Sequence, residues 1–149
     1  WTKDGSEISN NPRISFSEDK NQLTITKAER VDSGAYRCVA SNSLGSNTSD
    51  AAVVNVQYES HITTHPNNVT KREGENVTLY CNATGNPLPT LSWTKDGSNI
   101  SNNPRISFSE GKNQLTITNA KRVDSGAYRC VANNSLGNDT SSAAVVNVQ

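Results

Sequence analysis

Apolar residues in the second half of the chain recur two positions apart, in short runs. In Asn76–Cys81, the residues Val77, Leu79 and Cys81 alternate with polar neighbours and share one face of an extended segment. Leu91 and Trp93 point one way, with Ser92 and Thr94 the other. Ile106/Phe108 and Leu115/Ile117 make two more alternating pairs, and Tyr128, Cys130 and Ala132 a further set. At the end, Ala144, Val146 and Val148 interleave with Val145 and Asn147. Turn signals separate these runs: Thr-Gly-Asn-Pro-Leu-Pro at 84–89 and Asp96-Gly97. No segment sustains a 3.6-residue period, and residues 121–125 predict one helical turn at most. The pattern predicts about seven short strands in an all-β sandwich with inward and outward alternation.

The chain repeats itself. Trp1–Gln57 laid on Trp93–Gln149, at an offset of 92, differs at eight of 57 positions: Glu7/Asn99, Asp19/Gly111, Lys27/Asn119, Glu29/Lys121, Ser41/Asn133, Ser46/Asn138, Asn47/Asp139 and Asp50/Ser142. Every difference exchanges small or polar residues, and no apolar position changes. The period is too long for a solenoid and fits a whole small domain in tandem. The second copy is preceded by Tyr58–Ser92, for which the first has no counterpart. The expected division is a domain over 1–57 that lacks its first third and a complete one over 58–149. No Gly/Ser- or Pro-rich linker separates them, so the expectation is a semi-stiff rod.

Two cysteines, Cys81 and Cys130, lie 49 positions apart, with Trp93 between them and Tyr128 two residues before the second. With Glu73-Gly74, Gly85-Asn86-Pro87-Leu88-Pro89, Leu115-Thr116-Ile117, the run Asp124-Ser125-Gly126-Ala127-Tyr128-Arg129-Cys130, and Val131 through Gly137, residues 62–149 resemble the I-set subfamily of immunoglobulin domains. The matching part of 1–57 shares the resemblance. It implies an immunoglobulin-like Greek-key β-sandwich with a disulfide between Cys81 and Cys130. It also implies an indole at Trp93 packed on that disulfide and a tyrosine corner at Tyr128. An ion pair is implied between Arg105 and Asp124, with Arg13 and Asp32 as its equivalent in the first copy. Cys38 corresponds to Cys130, and its partner would lie in the lead segment that the first copy lacks.

Composition narrows the function. Lys plus Arg and Asp plus Glu are balanced at 14 each, which gives no electrostatic reason to expect nucleic acid or an anionic membrane as partner. No apolar run approaches the length of a membrane span, and no secretion signal is visible ahead of Trp1. His61 and His65 could share a metal on a helix; on the strand that Pro66 and the neighbouring threonines favour, they stand about 13 Å apart, too far for one zinc ion. There is no Gly-x-Ser-x-Gly elbow, phosphate loop, EF-hand loop or Cys-x-x-Cys. The expectation is no catalysis, no cofactor and no metal.

Seven Asn-x-Ser/Thr sequons occur, at Asn47, Asn68, Asn76, Asn82, Asn99, Asn133 and Asn138. An Asn-, Ser- and Thr-rich chain of this kind yields about four or five by chance, so position matters more than number. Asn76 and Asn82 have outward parity beside Val77 and Cys81, which makes them the expected glycan carriers. Cysteine pairing and sequons together favour an oxidising, extracellular setting. The resemblance implies a cell-adhesion or recognition ectodomain, with a like molecule, a related immunoglobulin-domain protein or a matrix or cell-surface ligand as partner. Its rivals are a spacer in a matrix or sarcomeric filament, and the ligand-binding ectodomain of a receptor kinase. An intracellular filament would keep the cysteines reduced. The first copy, without its lead, is expected to leave Trp1, Leu23, Ile25, Tyr36 and Cys38 partly uncovered and to fold poorly alone.

Overall fold

Alternating side chains need a partner layer, and the second copy completes one with strands of its own lead segment. The computed structural model describes residues 1–149 and divides into two units, Trp1–Gln57 and Tyr58–Gln149. Unit 1 holds β1 Thr2–Lys3, β2 Ser6–Glu7, β3 Ile14–Phe16, β4 Leu23–Ile25, β5 Gly34–Arg37, β6 Val39–Asn42, β7 Gly45–Thr48 and β8 Ala52–Val54. Unit 2 holds β9 Tyr58–Thr64, β10 Val69–Lys71, β11 Val77–Tyr80, β12 Asn82–Asn86, β13 Thr90–Lys95, β14 Ser98–Asn99, β15 Ile106–Phe108, β16 Gln114–Ile117, β17 Gly126–Asn134, β18 Gly137–Thr140 and β19 Ala144–Val148.

Two layers make unit 2. In one, β11, β16 and β15 form an antiparallel ladder, and β12 pairs with β9. Only Cys81 separates β11 from β12, so one chain segment serves both ladders. The other layer runs β10-β19-β17-β13-β14, with β18 also on β17; only the β10–β19 pair is parallel. The turn between β13 and β14 is tight because Asp96 and Gly97 both take positive φ, 50° and 84°, as a two-residue hairpin turn of this hand requires.

Between the layers lie Ile62, Val77, Leu79, Trp93, Leu115, Ile117, Tyr128, Ala132, Ala144 and Val146, all buried, together with Cys81 and Cys130. The period-2 positions thus carry the core. Phe108 is the exception. It has the parity of Ile106 but is exposed, because β15 is an edge strand; Lys112 Nζ stands 5.9 Å from its ring centroid. The helical turn at residues 121–125 is a 3₁₀ turn, Arg122–Asp124, with its twin at Arg30–Asp32 in unit 1.

Unit 1 keeps the same registers without a second lead. Thr2 pairs with Arg37 and Lys3 with Tyr36, as Thr94 does with Arg129 and Lys95 with Tyr128. It contains no counterpart of β9 to β12.

Candidate binding faces

The frame beneath the surface is fixed by a few contacts. Cys81 and Cys130 are disulfide-bonded, their Cα atoms 6.4 Å apart, one in each layer. Trp93 sits opposite Cys130 in the β13–β17 register, is 3% exposed, and donates its indole N–H to the Lys112 carbonyl at 2.7 Å. The Tyr128 hydroxyl donates to the Asp124 carbonyl at 2.7 Å from a fully buried ring. Burial, with the Asp124 charge behind it, pushes this phenol up to about 12. Arg105 holds Asp124 with two guanidinium nitrogens, at 2.5 and 3.0 Å, and the Lys121 backbone N–H donates to the same carboxylate at 2.7 Å. Burial alone would raise the Asp124 carboxyl, but those donors and the charge of Arg105 outweigh it and hold it below its ordinary value. The approach at Gly126 is close: a Cβ there would meet Asp96 Oδ2 at 2.8 Å and Lys95 Cε at 2.9 Å, and these side-chain ends would have to give way. Leu115 is wholly buried in the core, paired with Leu79 and Phe108.

Beside that corner lies an open depression lined by Lys95, Ile100, Ile106, Val123, Asp124 and Tyr128; unit 1 repeats it with Lys3, Ile8, Ile14, Val31, Asp32 and Tyr36. Lys95 reaches across and donates to the Val123 carbonyl at 2.6 Å. Lys95 and Asp124 are thus committed to the fold, while Asn99 and Asn102 at the rim of the depression are exposed.

The outer faces are broad and mostly small and polar. On the β14-β13-β17-β18 side, Thr94, Arg129, Val131, Asn133 and Asn138 face outward, and Val145 of β19 joins them, 51% exposed. On the opposite layer Tyr80 is 58% exposed, and Phe108 at the edge is exposed too. At the loop end, Leu88 is 84% exposed and Leu136 is also exposed.

The sequons sort into two groups. Asn68 Oδ1 accepts the Val145 N–H at 2.8 Å, Asn76 Oδ1 the Asn119 N–H at 3.1 Å and Asn82 Oδ1 the Ala83 N–H at 3.0 Å. These three are exposed yet tied to the backbone. Asn47, Asn99, Asn133 and Asn138 are exposed as well, and lie on β7, β14, β17 and β18.

A profile described as the immunoglobulin I-set domain matches residues 1–55 and 60–147. The chain belongs to the immunoglobulin I-set family. Among curated relatives, neural cell adhesion molecule 1 of Bos taurus is 32% identical over 95% of this chain, and the chain spans 19% of its length. SPEG neighbor protein of Homo sapiens is 36% identical over 97% of this chain and 63% of its own. Hemicentin-2 of Mus musculus is 38% identical over 93% of this chain and 3% of its own. Of solved structures, Titin-A168169 matches with a TM-score of 0.73 at 25% identity, covering all of this chain and 82% of its own. The extracellular domains 3–5 of Drosophila OTK match with a TM-score of 0.63 at 26% identity, covering 99% of this chain and 50% of theirs. This I-set chain has relatives that are cell-adhesion immunoglobulin proteins, and a core disulfide belongs to an oxidising, extracellular compartment.

Some connections lay outside the reading of the sequence. Asn134 accepts the Leu136 and Gly137 N–H groups and donates to the carbonyls of Tyr58 and Pro87, binding the β17–β18 turn to two other segments. His61 and His65 are not brought together on a metal; they belong to separate latches. Asp139 Oδ2 lies 3.4 Å from His61 Nδ1 and accepts the Ile62 N–H at 2.8 Å, while His65 Nδ1 accepts the Ser142 N–H at 3.1 Å. Tyr36 departs from expectation. It is 3% exposed despite the missing strands: Lys3, Ile8, Ile14, Val31 and Asp32 of its own copy lie around it, and its hydroxyl donates to the Asp32 carbonyl.

Proposed function

We propose that this chain is a non-catalytic extracellular recognition module, part of a tandem array that binds protein partners through outward sheet faces. The observation that carries this reading is the pairing of a disulfide-closed, side-chain-filled sandwich with broad solvent-facing sheets. The relatives named for cell adhesion support it. Outer positions such as Thr94, Arg129, Asn133 and Thr140 give each domain few apolar anchors, so single contacts are weak and strength comes from several domains acting together. The partner is a like molecule or another protein on a cell surface or in the matrix. The architecture is a domain over 58–149 preceded by strands of a second domain over 1–57.

Bead aggregation tests the homophilic form. Beads coated with the oxidised chain should cluster as coating density rises, and soluble chain should inhibit them. Beads that neither cluster nor capture cells or matrix at any density would leave the second reading, a spacer without a specific partner. That alternative is favoured by the near identity of the two copies, since a spacer needs length more than diversity.

A further inference from the structure

The eight differences between the copies are not spread evenly over the fold. On the outer face of the sheet containing β13, β17 and β18, most positions match between units: Thr2 and Thr94, Arg37 and Arg129, Val39 and Val131, Thr48 and Thr140, Val53 and Val145. Three outward positions differ, and all three become asparagine in unit 2: Glu7 to Asn99, Ser41 to Asn133, Ser46 to Asn138. Each change completes a sequon, because the hydroxyl two residues on is already present in unit 1 as Ser9, Ser43 and Thr48. The register puts all three on this face, two of them side by side. Asn99 pairs with Thr94 beside Arg129, and Asn133 faces Asn138 directly.

Unit 1 has one sequon, at Asn47. It pairs with Ala40, the neighbour of outward Val39 and Ser41, so it points to the other side of its sheet. Its counterpart Asp139 holds β9 by the Ile62 N–H. The outer face in unit 1 therefore has no acceptor.

We infer that unit 2 carries N-linked oligosaccharide at Asn99 and at one or both of Asn133 and Asn138, and that this sugar covers a face which unit 1 leaves bare. The inference rests on the extracellular reading above. In the transfer, the asparagine amide nitrogen bonds to the anomeric carbon of an oligosaccharide carried on a lipid pyrophosphate. The sugar–phosphate C–O bond breaks, the lipid pyrophosphate leaves, and the amide proton passes to a base. These side chains stand on open solvent, so the added sugar displaces no core contact. A branched oligosaccharide is far wider than the roughly 5 Å between strands, so a few acceptors cover Arg129, Val131 and Val145. Two faces that match in shape and in most residues then differ in access, and a partner for this face meets it on unit 1.

The full chain should be secreted from eukaryotic cells and its glycans released enzymatically in heavy-oxygen water, which tags each formerly occupied asparagine as labelled aspartate. The tag is expected at Asn99 and at Asn133 or Asn138. Untagged peptides at all three, in secreted protein with the Cys81–Cys130 bond closed, overturn the inference and leave the extracellular reading intact. Reduced cysteines in the purified chain sink that reading instead. Hydroxyl-radical labelling tests the cover. Val131 and Val145 should label several-fold more after glycan removal, and equally so in the N99Q/N133Q/N138Q variant, while Val39 and Val53 stay unchanged. Equal labelling of Val131 and Val145 before and after removal overturns the masking.

Discussion

Nearly the same 57 residues occur twice in this molecule, once with β9 to β12 packed against them and once without. With that cover, Leu115, Ile117, Cys130, Ala132 and Ala144 are buried; without it, Leu23, Ile25 and Cys38 are half-buried and Ala40 and Ala52 are exposed. The strand registers survive the loss, and so does the corner built by Arg13, Asp32 and Tyr36, where Arg13 pairs with Asp32 as Arg105 does with Asp124. The difference separates two kinds of information. Hairpin registers and the tyrosine corner are set by residues inside the repeat, whereas burial of the rest of the inner face depends on β9 to β12, which complete the sandwich from outside it.

The largest effect should come from separating the halves. Residues 58–149 alone should unfold cooperatively in denaturant, while 1–57 alone should give collapsed, unprotected amide signals by NMR; a dispersed, exchange-protected spectrum from 1–57 would falsify the claim that the second layer is needed. Next, removing both Cys81 and Cys130 as alanine should cost about 4 kcal/mol, the loop-closure value for this separation, whereas Cys38→Ser should leave denaturation of the chain unchanged. Leu115→Ala should cost about 3 kcal/mol by the usual core-truncation scale. Its twin Leu23→Ala, half-exposed already, should move hydrogen exchange in unit 1 only slightly, and equal losses in the two would mean that unit 1 is covered after all. The smallest effect is Tyr128→Phe, about 1 kcal/mol for one buried hydrogen bond. Tyr36→Phe should match it in local exchange because that corner is self-contained.

Titration sharpens the same contrast. The folded Asp124 carboxyl sits below its ordinary 3.8, so the folded state favours the charged form. Its contribution is complete above that value and drains away as the pH falls through it toward the lower folded value. Tyr128 works on the other side. Its phenol is raised from 10.0 to about 12, so its contribution is complete below pH 10 and is lost as the pH climbs from 10 toward 12. Unfolding curves of unit 2 across this alkaline window should flatten in Tyr128→Phe, and an unchanged slope would remove the phenol from the account.

Much of unit 2 was readable beforehand because burial in a sheet follows parity. Val77, Leu79, Leu115, Ile117, Tyr128 and Val146 alternate with polar residues and all face inward. Parity could not tell that Phe108 lies on an edge, since edge position depends on which strands pair. It was also silent on Asn134, two of whose four hydrogen bonds reach Tyr58 and Pro87, far away in sequence. Tyr36 is buried for a local reason: Lys3, Ile8, Ile14, Val31 and Asp32 of the same copy surround it, so the absent strands matter less there.

By itself, the order of residues settled the alternation, the turns and the duplication, because each depends on neighbours a few positions apart or on plain identity between copies. Only folding in three dimensions decided which of two matching surfaces becomes interior and which sequons share one face. Those outcomes turn on layers and registers assembled from distant stretches of chain: Leu115 and Ile117 leave water completely only because β9 to β12 complete the sandwich.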